Sequence, residues 1–271
     1  MLFEWRPHAS EGRRFTVAAN RDEFFHRPTG RLHVWPRRPE VFAGVDDGAP
    51  LSALGLPGTW MGVTRQGRFA AITNVRGPQE RSPTALSRGG LTTGFLASTL
   101  PPAEYLLDVQ SRAQRYNGFN LLVGELRGDD PQLWWYSNRG KHAPRKLTAG
   151  VYGLSNASLD TPWPKVVRGV SAFSIALARA DANSVPFDAL FDLLADTTPA
   201  SDSDLPSTGV PVEWERVLSP IFIATPTYGT RSSTVVSVLT NGRIDVRERA
   251  FFPQGNLSNV EEVALQAHAV I

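Results

Sequence analysis

The stretch Arg14-Phe15-Thr16-Val17-Ala18-Ala19-Asn20-Arg21-Asp22-Glu23-Phe24 runs from a compact apolar segment straight into four consecutive polar side chains. The apolar half reads as a buried strand, and the polar half as the groups which that strand delivers at its end. Arg21 can hold a carboxylate or steady an anion, and Asp22 can accept a proton or a charged amine. Two plainer readings share the residues. Asn20 with Glu23 three positions on is also a helix capping box, and Arg21 can simply pair with Asp22 or Glu40.

Outward from this run, Thr59–Thr64 turns at Arg65-Gln66-Gly67 and returns as Arg68–Asn74, a hairpin pattern. Pro101-Pro102 opens a helical stretch to about Arg115, with Tyr105, Leu106, Val109 and Ala113 on one face and Asn117-Gly118 as its stop. Phe119–Leu126 and Gln132–Ser137 form a second strand pair, followed by a strand at Gly150–Ser155. Helices are expected from Pro164 to about Ala180 and from Pro186 to Ala195, the second capped by Ser184. Asp196–Pro211 reads as a surface loop. Strands resume at Ile221–Ala224, Ser233–Leu239 and Ile244–Glu248, the last two joined at Asn241-Gly242, a strong hairpin signal. Strands, then helices, then strands suggest mixed sheets with helices layered on them.

The chain has 271 residues, 41% of them hydrophobic, and no cysteine, which excludes a disulfide-stapled module, thiolate metal sites and a cysteine nucleophile within this sequence. The length suits one domain spanning 1–271. Lysine occurs only at 141, 146 and 165, so 28 − 3 = 25 of the basic residues are arginines, dispersed among acids to a net +2. A nucleic-acid partner is not indicated. No run approaches the ~18 apolar residues of a membrane span, and the start lacks a signal-peptide core, so the expected location is cytoplasmic.

Three further positions can carry chemistry. Asn74 and Asn156 each stand at a strand end, where a side-chain amide can donate to a developing oxyanion, although turn chemistry alone also favours Asn there. Arg231 opens the last hairpin within Tyr228-Gly229-Thr230-Arg231-Ser232-Ser233, where a salt-bridge role competes. Other templates fail. Histidines 8, 26, 33, 142 and 268 show no zinc spacing, and neither a G-x-S-x-G elbow nor a phosphate loop is present. Strand alternation puts Trp134 and Tyr136 on one face and Trp135 on the other.

The run Ala18–Phe24 with Arg27-Pro28-Thr29 resembles the signature of the NRDE family, the transport and Golgi organisation type-two proteins. The likeness continues in order through Gly58-Thr59-Trp60-Met61-Gly62-Val63, Ala71-Ile72-Thr73-Asn74-Val75-Arg76, Ser87-Arg88-Gly89, Tyr116–Leu121, Gly153-Leu154-Ser155-Asn156 and Tyr228-Gly229-Thr230-Arg231. It implies an α+β fold similar to the N-terminal-nucleophile hydrolases, a four-layer αββα sandwich of two antiparallel sheets. In the cysteine members of that superfamily the first residue attacks an amide carbonyl, an Arg and an Asp flank it, and Asn side chains help form the oxyanion site. By position the candidates here are Arg21, Asp22, Asn74, Asn156 and Arg231, with Asn20 added as a ligand-binding residue.

Family members usually begin Met-Cys, whereas this sequence begins Met1-Leu2, and an aliphatic side chain cannot act as a nucleophile. Two functions are therefore expected. The first is handling of a small amphipathic molecule, haem or an acyl thioester or other lipid metabolite, in line with the family's implied roles in haem trafficking and lipid metabolism. No cofactor is required, and haem enters only as a transported ligand. This reading expects Arg21→Ala and Arg231→Ala to weaken binding. The second is an amidohydrolase acting on linear amide bonds, whose Cys would lie upstream of Met1.

Overall fold

Strand Arg13–Phe24 is the organising element, because its side chains are buried on both faces. Phe15, Val17 and Ala19 point one way into an apolar core, and Ala18 points the other way into a second core, as strand alternation requires. The computed structural model describes residues 1–78, 82–140, 142–251 and 261–267, with side chains from residue 264 onward in the last segment. His268 lies outside the described residues.

Strands and helices are numbered along the chain. One sheet contains, in spatial order, β10 (Gly150–Gly153), β1 (Leu2–Trp5), β2 (Arg13–Phe24), β11 (Tyr228–Leu239), β12 (Ile244–Ala250) and β13 (Glu261–Ala267). The other contains β3 (Thr29–Trp35), β4 (Arg38–Asp46), β5 (Met61–Thr64), β6 (Arg68–Asn74), β7 (Phe119–Glu125), β8 (Gln132–Ser137) and β9 (Arg145–Lys146). Every strand pairing in both sheets is antiparallel, which corrects the mixed sheets suggested by the order of elements. Short turns join β3 to β4, β5 to β6 and β11 to β12, and such turns can join only antiparallel strands.

Three apolar layers define four structural ones. Between the sheets lie Phe3, Phe15, Val17, Val63, Phe69, Leu122, Trp135, Val236 and Val246. Helices α1 (Gly89–Ala97) and α2 (Pro102–Ser111) cover the outer face of the seven-stranded sheet through Leu91, Phe95, Leu106 and Val109. Helices α3 (Pro164–Arg179) and α4 (Phe187–Leu194) cover the six-stranded sheet through Phe173, Leu177, Leu190 and Phe191. The result is the αββα sandwich. A short helix α5 (Val212–Val217) follows the 196–211 connection, which carries one 3-10 turn at Asp202–Asp204.

Two glycines set the seat of α3. A Cβ on Gly153 would meet Val166 Cγ1 at 2.5 Å, and one on Gly169 would meet both Leu2 methyls at 3.0 Å. Without those carbons the first turns of α3 lie against β1 and β10, which brings Lys165 over the strand ends.

Several elements differ from the sequence reading. Asn20–Glu23 is the continuation of β2 and caps no helix, so the capping-box reading falls. Ser184 does not cap α4, whose N-cap is Pro186; its hydroxyl donates to the Asp181 carbonyl instead. Ile221–Ala224 carries only an isolated bridge, at Ala224. Strands β3, β4, β9 and β13 and helices α1 and α5 have no counterpart in that reading. Helix α1 hides behind Gly89-Gly90 and Thr92-Thr93, residues of poor helix propensity that its burial against the sheet overrides.

Candidate functional site

Alternation along β2 sorts the polar cluster into two groups on opposite faces of the sheet. Asn20 and Asp22 share the helix-facing side with Ala18, while Arg21 shares the inner side with Phe15, Val17 and Ala19. Strand β11 matches this split. Thr230 pairs with Asp22 and Ser232 with Arg21, because a bulge inserts Arg231 between them.

On the helix-facing side, Asp22 accepts a hydrogen bond from Thr230 Oγ1 at 2.7 Å. Burial pushes its carboxyl above the usual range, against the pull of Lys165. Lys165, in the first turn of α3, is half-buried, as Asp22 is. It donates to the Leu218 carbonyl at 2.9 Å and to the Pro220 carbonyl at 3.5 Å. Desolvation lowers its pKa to about 8, with Asp22 pulling upward. The amine of Met1, at the head of β1, lies in the field of the same two side chains and is pushed down to about 5, chiefly by burial.

Arg76 borders this group. Its guanidinium lies 4.7 Å over the Trp163 ring and forms a buried ion pair with Glu215 of α5. Arg76, Trp163, Lys165, Ala200, Pro206 and Ser219 are among the residues lining a narrow cleft with room for little more than a water molecule. Asn74 and Asn156 stand next to one another, since Asn156 Nδ2 donates to the Asn74 carbonyl at 2.9 Å and the Arg76 N–H donates to the Asn156 carbonyl at 2.7 Å. The Asn156 amide thereby braces the β6 end. Asn20 braces too: it donates to the Leu194 and Ile221 carbonyls and accepts from Ser233 Oγ.

An aromatic rim adjoins the cluster. Phe24 and Trp214 are exposed and sandwich Tyr228, with ring centroids 5.0 and 5.9 Å from it, and Phe24 also meets His26 at 5.4 Å. Burial and the charges of Asp22 and Glu23 raise the Tyr228 phenol, which therefore stays neutral and can donate.

Arg21 and Arg231 are not brought to Asp22. Arg21 sits between the sheets, 4.4 Å over the Trp60 ring, donating to Thr29 Oγ1 at 3.1 Å and facing Asp46 at 3.9 Å. Its ionic partner is thus Asp46, not Asp22 or Glu40; Glu40 faces Arg38. Arg231 donates through Nη1 to the Phe24 and Arg27 carbonyls. Sequence reasoning missed Lys165, Arg76, Tyr228 and Glu215 at the first cluster. Arg76 and Tyr228 did fall within quoted blocks of the resemblance, and Lys165 stood out as one of three lysines in an arginine-rich chain. Among the described residues no group of three His, Asp or Glu side chains could hold a metal ion, and no described helix is long and apolar enough to cross a membrane.

Fold and site together define an αββα sandwich with a half-buried acid–amine group at the end of its central strands. The family model described as Transport and Golgi organisation 2 matches residues 1–253. The Transport and Golgi organization 2 homolog of Mus musculus is 33% identical, with 98% of each chain covered. The homologs of Bos taurus and Homo sapiens are 35% and 34% identical, over 92% of this chain and 90% of theirs. The chain belongs to the Transport and Golgi organisation 2 family, which is the NRDE family. Among solved structures, a mutant of conjugated bile acid hydrolase from Clostridium perfringens is similar at a TM-score of 0.42 and 12% identity, covering 98% of this chain and 92% of that one.

Proposed function

We propose that the protein handles a small amphipathic molecule with an anionic head, haem or an acyl thioester being the representatives to test, at the helix-facing end of β2 and β11. One observation carries the reading: the half-buried Asp22, Lys165 and Arg76 adjoin an aromatic rim in which Phe24 and Trp214 are exposed and Tyr228 is half-buried between them. A charged head can meet Lys165 and Arg76, and the apolar body can lie along the rings, the combination of few polar anchors and much apolar surface that small-molecule sites use. Lys165, with a pKa of about 8, stays largely protonated at neutral pH and suits an anion.

The test is calorimetric titration of haem and of a long-chain acyl coenzyme A thioester into the wild type, Lys165→Met and Trp214→Ala. Saturable binding of one ligand, weakened about tenfold or more in Lys165→Met, is expected from the loss of one charge-assisted contact. Arg21 and Arg231 face the other side of the sheet, so on this geometry their replacement leaves that affinity intact. Failure of both ligands to saturate overturns the reading.

The second reading, hydrolysis of linear amides, is favoured by the burial of the β1 head amine beside Asp22 and Lys165. It requires a thiol that would lie upstream of Met1, since the sequence itself holds no cysteine. Mass spectrometry of the native N-terminus followed by trapping of an acyl-enzyme on an amide substrate tests it. A native chain without cysteine ends it.

A further inference from the structure

On the opposite face of β2 the two sheets part into an open cleft of about 70 Å³. Thr29, Arg31, Trp60, Arg231, Glu248 and Phe251 are among its lining residues. It shares no lining residue with the Arg76–Lys165 cleft.

Three features mark it as built. Trp60 is clamped from behind by the Arg21 guanidinium at 4.4 Å, and Arg21 is itself held by Thr29 and Asp46, so the indole is a fixed wall. Glu248, 2% exposed, takes the Leu32 N–H at 2.7 Å on one oxygen and Thr234 Oγ1 at 2.9 Å on the other, which ties the two sheets together at this end. Arg231, the residue inserted by the bulge, borders the opening, and its Nε is a buried donor with no partner among the described residues. A buried cationic N–H left unpaired costs more than an ordinary missed hydrogen bond, and the charge of an anion beside this guanidinium would offset part of that cost.

We propose that this inter-sheet cleft is a second, separate binding site, taking a singly charged carboxylate on a compact apolar or aromatic body, with Arg231 on the head and Trp60 and Phe251 on the body. Glu248 sets the charge limit, because a doubly charged phosphate would face a buried carboxyl whose oxygens already serve other donors. Burial pushes that carboxyl above its usual range, against the hydrogen bonds from the Leu32 N–H and Thr234.

The test uses the full chain labelled with nitrogen-15, following indole N–H signals during titration with phenylacetate and, separately, phenyl phosphate. The Trp60 signal is identified by its loss in Trp60→Phe. Saturable movement of that signal by phenylacetate is expected, weakened about tenfold or more in Arg231→Gln and abolished in Ala250→Phe, which fills the cleft and leaves the Arg231 hydrogen bonds in place. Lys165→Met should bind phenylacetate as the wild type does, which separates this site from the one proposed above. Three results would overturn the assignment: a Trp60 signal that does not move, unchanged affinity in a folded Ala250→Phe, or tighter binding of phenyl phosphate.

Discussion

Removing the Glu215 carboxylate should unlatch the entire 198–218 connection from the strand ends. Glu215 and Arg76 form an ion pair whose side chains are 4% and 8% exposed. The same carboxylate also takes the Thr208 N–H at 3.1 Å and the Thr208 hydroxyl. Glu215→Ala therefore strands a buried guanidinium and frees two loop donors, and breaking one side of such a pair costs about 3–5 kcal/mol. For a chain of this size each kcal/mol lowers Tm by about 2 °C, giving a fall of about 6–10 °C. Arg76→Met alone should cost a similar amount. The double variant Arg76→Met/Glu215→Ala should cost clearly less than the sum of the two, because neither charge is left unpaired. Urea unfolding at pH 7, followed by tryptophan fluorescence on all four proteins, yields the coupling energy. A value below about 1 kcal/mol would refute the assignment of the pair as the latch, since buried contacts of this kind couple by more.

Other consequences are as specific. Lys165 has its pKa lowered from 10.5 to about 8, so between those values the unfolded chain binds the extra proton and stability should rise with pH from 8 towards 10. The shift corresponds to roughly 3 kcal/mol across that window, and Lys165→Met should flatten the rise in denaturation midpoints measured at pH 8, 9 and 10. Arg13, almost fully buried, donates to the carbonyls of Leu177, Asp181 and Ser184 just at and beyond the end of α3. Its replacement by Met should cost about 2–4 kcal/mol, from several charge-assisted bonds and a helix C-terminus left without its cation. A loss under about 1 kcal/mol in chemical denaturation would show those carbonyls to be solvated instead. A Cβ on Gly44 would meet the Trp60 ring at 2.2 Å, so Gly44→Ala should cost about 1–3 kcal/mol and displace the Trp60 indole signal. An unmoved signal would count against the fixed wall.

The hairpins were readable because their signals are local. Asn241-Gly242 turns with Gly242 at φ 80°, and Gly67, at φ 88°, closes the β5–β6 turn. Trp134 and Tyr136 fall on the α2 side and Trp135 between the sheets, as alternation requires. Strand β3 escaped notice because Thr29–Trp35 holds Gly30, Arg31 and His33, residues whose place in a strand is decided by β4 across from them. The candidate site was half visible. The polar tetrad at 20–23 stood out, but reading it as one constellation ignored that neighbours on a strand face opposite ways. Lys165 and Arg76 reach Asp22 from distant segments, with Glu215 of a third paired to Arg76, and such proximity leaves no trace in spacing. The bulge at Arg231 was equally invisible, since nothing local in Thr230-Arg231-Ser232 requires it.

That bulge makes Arg231 supernumerary. Upstream of it, β11 and β2 pair with Thr230 opposite Asp22; downstream, Ser232 stands opposite Arg21. Excising residue 231 would remove this break in the ladder against β2, leaving only the irregularity at Val238/Leu239, without turning any other β11 side chain to the opposite face. The forfeits are the guanidinium and the bond from the Phe251 N–H to the Arg231 carbonyl. The fold thus carries a charged group as a detachable insertion, and a one-codon deletion, milder for the sheet than many point substitutions, can ask what that charge is for.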